Sequence, residues 1–396
     1  MRETMKELSK CLCCDERHLE PILDLNNQPL ANSYLPSPET PEDTFPLQLN
    51  FCNRCTHLQL SHAVHPDFLF KHYLYVSGTS ETLLKYFEDF VGLTKQYVET
   101  PSNVLDIACN DGSQLNYFKK AGCNTYGIDP AKNLHALSSI DHNVICDYLS
   151  SETINSFGVH FDIILAQNVF AHNDYPKQFL EYCKQVITDK GCIFIQTSQA
   201  NMVSNNEFDT IYHEHLSYFS VKSLCTLARR CGLNVLDVRR TPIHGTSFVF
   251  VLSEQGVDRS DYFIGLESEL NPSILSGYVT KCRKVVIDLK DAIDLYKNRG
   301  FRIIGYGAAA KGNTLLNFGN ITLDYIIDDN SLKQGLYTPG MHIPIKPSEA
   351  LLQETQPIVI IPLAWNFYEE IKSRALQKIE RATFIRYFPS ILIESQ

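Results

Sequence analysis

The chain has 396 residues, and at about 150 residues per domain that length predicts two or three domains with ample room for buried cores. Hydrophobic residues make up 44%, charged residues 20% and aromatics 11%, the composition of a folded chain rather than a disordered or fibrous one. Thirty-five Lys and Arg against 45 Asp and Glu give a formal charge of -10, which excludes a diffuse basic surface for nucleic acid or an anionic membrane.

The N-terminal run MRETMKELSKCLCC mixes charges and has no apolar core of the kind a secretory signal needs. No window approaches the ~18 apolar residues of a membrane span, so a cytoplasmic location is expected. Thirteen cysteines is an odd number, which argues against a disulfide framework and for reduced thiols or metal ligands. Four of them form two CxxC pairs, Cys11 with Cys14 and Cys52 with Cys55. Two residues between thiolates let both sulfurs reach one ion at about 2.3 Å, and two such knuckles supply the tetrahedral ligands of a structural zinc site. Cys13 offers a competing register and is read as a bystander. The predicted role is folding, because a proline-rich segment of about 60 residues is too small for a self-sufficient core.

After the Ser77-Gly-Thr-Ser80 turn, Leu83, Leu84, Phe87, Phe90 and Val91 recur at helical spacing. Tyr73 and Tyr75 precede this helix at strand-like spacing, which points both rings to one side. Residues 103–253 then alternate apolar strands (NVLDIA, NTYGID, HNVIC, FDIILAQ, GCIFIQT) with amphipathic or polar stretches, which predicts a parallel sheet wrapped by helices. The close succession of NVLDVRRTP and TSFVFVLS through His244-Gly245 requires an antiparallel pair. A doubly wound sheet finished by a reversed edge strand is the outline of an S-adenosylmethionine (SAM) methyltransferase domain. A polar helical link over roughly 256–298 leads to a second α/β unit opening at FRIIGYGAAAKGNTLLNFG and continuing through LDYIIDDN, PIVIIPLAW and NFYEEIKSRAL.

Strand VLDI runs into ACNDG, where a tight turn into a helix brings backbone N–H groups to a ligand at the carboxyl end of the sheet. Gly112 allows close approach, and Asp106, Asn110 and Asp111 add polar groups. Asp129, 23 residues after Asp106, ends the next strand, where a carboxylate accepts both ribose hydroxyls. Asp147 is placed to meet an adenine amino group, and Gln167 and Asn168 end the fourth strand at the same crevice. An acid-rich, glycine-poor loop suits the sulfonium of SAM better than a pyrophosphate.

The segment Asp209 to Phe219, DTIYHEHLSYF, is the densest collection of titratable groups, and its position just after GCIFIQT predicts that Tyr212, His213, Glu214 and His215 face the methyl-donor crevice. An imidazole base beside a carboxylate is what proton abstraction next to a carbonyl requires, and a phenol can donate to the enolate oxygen that develops. The run His213-Glu214-His215 lacks both intervening residues of the HExxH that puts two histidines on one helix face in zinc proteases. His172, in NVFAHND after the fourth strand, is a further crevice candidate. GYGAAAKG, with Asp328 and Asp329 some 23 and 24 residues beyond Gly305 and Lys311 at the helix start, looks like a dinucleotide fingerprint, and a structural tight turn explains it equally well.

Taken in order, Cys11/Cys14 with Cys52/Cys55, YLYVSGTS, LDIACNDG, NVFAHN, FDTIYHEHLSYFS and GYGAAAKGNTLLN resemble the sugar C-methyltransferases of bacterial deoxysugar pathways, which act on nucleoside-diphosphate (NDP) 4-keto sugars. The resemblance covers essentially the whole chain. It implies an α/β protein of three parts: a zinc-binding domain over 1–75, a class I SAM methyltransferase Rossmann-like domain over 76–254, and a Rossmann-like domain over 255–396 that helps enclose the sugar nucleotide. It further implies His215 as general base with Glu214 beside it, and contacts to the ketosugar from Tyr212, His172 and one of the Tyr73/Tyr75 pair, taken as Tyr75. Two departures stand out: Ala108 replaces the usual glycine of the SAM loop, and His244-Gly-Thr-Ser-Phe-Val249 lacks the second glycine and the arginine of the family's turn.

The expected reaction is SAM-dependent methylation, at C3, of an NDP-4-keto-6-deoxyhexose, by a protein acting as a monomer or weak homodimer without nucleic-acid or membrane partners. The competing readings are methylation at C5, nitrogen or oxygen, an NAD-dependent sugar-nucleotide oxidoreductase using GYGAAAKG, and a zinc-ribbon scaffold that binds sugar nucleotides without turnover.

Overall fold

The computed structural model describes residues 4–71, 76–79, 81–197, 202–243, 246–267 and 270–395, so Tyr73, Tyr75 and the His244-Gly245 turn lie outside the described residues. The chain divides into two compact units, each assembled from separate stretches. The first comprises Met1–Glu20, Asn50–Ala200 and Leu216–Leu270, and the second comprises Pro21–Leu49, Asn201–His215 and Asn271–Gln396.

The first unit is built on a seven-stranded sheet of β1 (Asn103–Ile107), β2 (Asn124–Ile128), β3 (Asn143–Ile145), β4 (Phe161–Gln167), β5 (Ile187–Thr197), β6 (Asn234–Thr241) and β7 (Ser247–Ser253). The spatial order is β6-β7-β5-β4-β1-β2-β3. Strands β1 to β5 run parallel, and β7 runs antiparallel to both β5 and β6. The reversed strand is therefore inside the sheet and not at its edge as the sequence suggested. The physical reason is in the side chains: every residue of SFVFVLS is buried, whereas NVLDVRRT carries Arg239 and Arg240 and keeps only Val235 fully buried, which suits an edge.

Alternation along the strands feeds two cores. One face carries Leu105, Ile107, Ile164, Ile193 and Phe250, and the other carries Val104, Ile163, Phe194, Val249 and Val251. Helix α1 (Glu81–Thr94) buries Leu83, Phe87 and Phe90, as its spacing predicts, and Phe90 meets Phe194 edge-to-face at 5.9 Å. Helix α2 (Ser113–Lys120) starts at Gly112, whose φ of 81° is left-handed and whose Cβ, if added, would lie 2.9 Å from the His142 ring. Helix α3 (Val221–Arg230) is capped by Ser220 Oγ, which accepts from Ser223 N at 3.0 Å, a bond contributing about 1 kcal/mol. At its other end Arg230 donates to the Cys13 carbonyl and pairs with Asp15, joining the cysteine segment to the sheet's helical layer.

In the second unit, helix α4 (Pro272–Lys297) is the polar link of the sequence, with Asn271 Oδ1 accepting from Ile274 N at 3.1 Å at its start. It precedes a six-stranded sheet of β8 (Arg302–Tyr306), β9 (Tyr325–Ile327), β10 (Ile345–Lys346), β11 (Ile358–Pro362), β12 (Thr383–Arg386) and β13 (Leu392–Ser395), ordered β10-β9-β8-β11-β12-β13. All but β13 are parallel. Helix α5 (Ala310–Gly319) follows β8 and helix α6 (Tyr368–Leu376) follows β11. Strands Glu20–Pro29 and Thr44–Phe51 are neighbours that contribute most of their length to this unit. Among the described residues, no helix is long and apolar enough to cross a membrane.

Candidate active site

The sulfurs of Cys11, Cys14, Cys52 and Cys55 all lie within 4.8 Å of one another, with Cys11 opposite Cys55 and Cys14 opposite Cys52 at 3.5 Å. A zinc ion with four sulfurs at about 2.3 Å sets them about 3.8 Å apart, so this donor set fits zinc. Both knuckles have the same backbone: Asp15 N donates to Cys11 O and Thr56 N to Cys52 O, and both Asp15 and Thr56 have positive φ. Four thiols with no open position make a structural site that holds a zinc ion. Cys13 is buried beside the four but is not one of them, and burial pushes its thiol well up.

At the carboxyl end of the first sheet, β1 leads into a turn in which Ala108 and Asn110 both have positive φ. Ala108 tolerates that conformation because its N–H is held by Ile128 O at 2.7 Å. Asn110 N donates to Asp129 Oδ2 and Ala131 N to Asp129 Oδ1, both at 2.8 Å, so this carboxylate ties two loop backbones together while keeping further lone pairs. The side chains of Asn110 and Asp111 accept from Ser77 N at 3.0 Å and Gly78 N at 2.9 Å, bringing the Ser77–Thr79 turn onto this loop. A Cβ on Gly78 would sit 2.5 Å from Asp111 Oδ2, so a larger residue there would have to displace that carboxylate.

Burial, with Asp129 and Asp111 nearby, raises the Asp106 carboxyl well above the usual carboxylate range, and burial raises Asp129 as well. Both side-chain atoms of Gln167 and Oδ1 of Asn168 are buried without hydrogen-bond partners at the end of β4. Crowded acids and orphaned amides are what a cationic, hydrogen-bonding ligand would relieve, so the residues present fit SAM. Asp147, beyond β3, is exposed, and its Oδ1 accepts from Tyr148 N. His172 closes a short 3-10 turn after β4, with the Phe70 ring stacked on it at 5.6 Å, and desolvation lowers its imidazole to about 4.

Residues 201–215 belong to the second unit. His215 Nδ1 lies 2.8 Å from the Thr210 carbonyl, which can only accept, so Nδ1 carries a proton. The acceptor position of the neutral ring is then Nε2, and the Tyr212 hydroxyl is 2.9 Å from it. Asn32 Nδ2 donates to Glu214 Oε1 at 2.6 Å, fixing the neighbouring carboxylate. His213 points elsewhere: its Nε2 meets the Phe45 carbonyl at 3.2 Å, and burial lowers it to about 4. The sequence named Tyr212, Glu214 and His215 but missed Asn32, because a contact 182 residues away leaves no local pattern.

Around GYGAAAKG, Gly307 has a φ of 89° and donates to Ile327 O at 2.7 Å, while a Cβ on Gly312 would lie 2.7 Å from Leu363 Cβ. Asp328 accepts from Ala308 N at 2.7 Å and Asn330 N at 2.8 Å. The Tyr34 hydroxyl donates to Ala308 O, to which Lys333 also donates, at 2.7 Å, and Asp329 is held by Tyr306 and by Arg374, the latter at 2.7 Å. Lys311 stands 4.5 Å from the centroid of the Trp365 ring.

Three family models match consecutive stretches: a zinc binding domain over residues 11–70, a methyltransferase domain over 81–238 and a C-methyltransferase C-terminal domain over 242–389. The C-methyltransferase NovU of Streptomyces niveus is 28% identical over 393 residues, covering 94% of this chain and 93% of its own. A mitochondrial ubiquinone biosynthesis O-methyltransferase of Dictyostelium discoideum is 29% identical over 119 residues, 26% of this chain and 37% of its own. Among solved structures, the plantazolicin methyltransferase BpumL in complex with a pentazolic desmethylPZN analog and S-adenosylhomocysteine (SAH) is 16% identical, covering 44% of this chain and 87% of that one, with a TM-score of 0.37.

Proposed function

We propose that the chain is a SAM-dependent C-methyltransferase that carries a zinc-binding segment, and that it methylates C3 of an NDP-4-keto-6-deoxyhexose through an enolate in deoxysugar biosynthesis. The observation that carries the reading is the fixed tautomer of His215, with Nδ1 bound to Thr210 O and Nε2 within reach of Tyr212. Carbon methylation needs a base, whereas methylation of an amine needs little proton abstraction. The C4 ketone acidifies the neighbouring C–H bond, and His215 Nε2 takes that proton to become an imidazolium. The electron pair passes to the C4 oxygen, which the Tyr212 hydroxyl stabilises by turning from Nε2 to it. Glu214, held by Asn32, stands beside the base and offsets the imidazolium charge.

SAM bound at the first turn would supply an electrophilic methyl group for the enolate carbon, its S–CH3 bond breaking to leave neutral SAH. Its proposed ligands are Asp106, Asn110, Asp111, Gly112, Asp129, Gln167 and Asn168. His172 and Tyr75 complete the proposed sugar contacts. The functional modules are proposed to follow the boundaries 1–75, 76–254 and 255–396, in the cytoplasm and as a monomer or weak homodimer.

Incubation with SAM and a panel of NDP-4-ketosugars, read by mass spectrometry, should give a gain of about 14 Da on the sugar. His215→Ala should lower kcat by at least about 100-fold at unchanged SAH affinity. Full turnover by that variant, or a gain only on nitrogen or oxygen, would overturn the reading.

A further inference from the structure

The carbonyl that holds the His215 proton lies between two anchored chain neighbours. On one side, Asp209 is fully buried, and its Oδ2 accepts from the Trp365 indole N–H at 2.8 Å and from the Tyr387 hydroxyl at 3.3 Å. On the other, the Ile211 carbonyl accepts from Thr314 Oγ1 on α5 at 3.1 Å. Thr210 sits between these two anchors, and the N–H of the peptide that carries its carbonyl donates from Ile211 to Phe208 O at 3.0 Å, which opposes rotation of that peptide. Nothing in the proposed reaction touches Asp209, yet a buried carboxyl is costly to keep unless it does structural or electrostatic work.

We propose that Asp209 is a positioning residue for His215: clamped by Trp365 and Tyr387, and seconded by Thr314, it aims the Thr210 carbonyl at Nδ1 and so keeps Nε2 as the proton acceptor. This rests on the reading of His215 as the base. The arrangement also makes the clamp sensitive to pH. Burial raises Asp209 to about 7, opposed by the charge of Lys311 and by the Trp365 and Tyr387 hydrogen bonds, while Glu207 on the same segment pushes it up. Cys282 on α4 also feels Asp209. Lys311, over the Trp365 ring, links this clamp to the GYGAAAKG loop. Ionisation strengthens the indole hydrogen bond, so the clamp is tightest above about pH 7.

Trp365 is the chain's single tryptophan, which gives a direct readout of the clamp. In the full-length zinc-loaded protein, tryptophan emission should titrate with a midpoint near 7, and Asp209→Asn should flatten it while still accepting the indole N–H. Side-chain 15N NMR of histidine-labelled protein should show His215 as the Nδ1–H tautomer in the wild type and in Asp209→Asn, and a mixture of tautomers in Asp209→Ala and Thr314→Val. Displacement of a base by as little as 1 Å costs up to about 100-fold, so Asp209→Ala should lose at least about tenfold in kcat with KM and SAH affinity unchanged. Asp209→Asn should stay within about threefold of the wild type. An unaltered His215 tautomer in both Asp209→Ala and Thr314→Val overturns the proposal. The NMR and fluorescence arms need no turnover, so they still decide it if His215→Ala proves fully active and the base assignment itself falls.

Discussion

The two sheets use one turn twice, and what surrounds it differs. After β1, Ala108 takes positive φ and donates to Ile128 O at 2.7 Å; after β8, Gly307 takes positive φ and donates to Ile327 O at the same distance. Asp129 and Asp328, each ending the next strand, both accept a backbone N–H from two residues on, at 2.8 Å. Around the first turn stand raised carboxyls, the unpartnered amide of Gln167 and the unpartnered Oδ1 of Asn168. Around the second, Lys333 and Tyr34 occupy the Ala308 carbonyl, and Arg374 and Tyr306 occupy Asp329. The backbone is the same at both turns; the unsatisfied side chains beside the first are the ground for the proposal that it, and not the second, takes a ligand.

The largest effect should come from the metal, whose binding to such a site is worth on the order of 10 kcal/mol. The cysteines share a core with Leu105, Ile164, Leu224 and Phe250. Removing zinc with a chelator, or substituting Cys52→Ser, should raise amide hydrogen exchange across β1 to β7 far more than across β8 to β13. Equal loss of protection in both sheets would mean that the first does not depend specifically on the knuckles.

Next in size is the contrast between the two turns. Saturating SAH, at about 100 times its Kd, should stabilise the protein by about 2.7 kcal/mol in a thermal-shift assay, and NAD at the same concentration should leave Tm unchanged. Asp129→Ala should lower SAH affinity by at least about tenfold, since a carboxylate hydrogen bond contributes about 1.5–3 kcal/mol. Asp328→Ala should lower Tm without moving SAH affinity. A shift with NAD would reverse the assignment of the two turns.

A smaller effect separates two glycines with similar packing. A Cβ on Gly78 meets the Asp111 carboxylate at 2.5 Å, and one on Gly312 meets Leu363 Cβ at 2.7 Å. Both Gly→Ala variants should lose about 1–3 kcal/mol of stability through overpacking. Only Gly78→Ala should also weaken SAH, which calorimetric titration can read at a temperature where both variants remain folded.

The first turn was legible in the sequence because its residues are close along the chain: a strand, an acid-rich turn and an acid 23 positions later. The cysteine pairs were legible for the same reason. The place of β7 was not, since a hairpin link fixes antiparallel pairing but leaves open which partner takes the edge; burial of all seven residues decides it. The supports of His215 were hidden more deeply. Asp209 stands in the motif itself, but its partners Trp365 and Tyr387 lie 156 and 178 residues away, and Asn32 reaches Glu214 across 182. Such contacts carry no periodicity, so only the folded chain reveals them.

The finest test concerns charge. Because Asp106 and Asp129 are raised in the folded protein, they lose their protons above the usual carboxylate range, and only the ionised forms attract a sulfonium. SAM carries that charge and SAH does not, so the affinity ratio of SAM to SAH should rise as pH climbs through the raised values. Two unit charges about 4 Å apart attract by about 1 kcal/mol at the dielectric of water, so the ratio should change by at least about threefold to tenfold. The stability of the ligand-free protein should move the opposite way. The folded form holds protons that the unfolded chain has already released, so stability falls over the same interval, and SAM should reduce that fall. Asp106→Asn should flatten both curves. A SAM to SAH ratio independent of pH, measured by calorimetry on wild-type protein, would show that these acids do not face the sulfonium, and the first turn would lose its electrostatic distinction from the second.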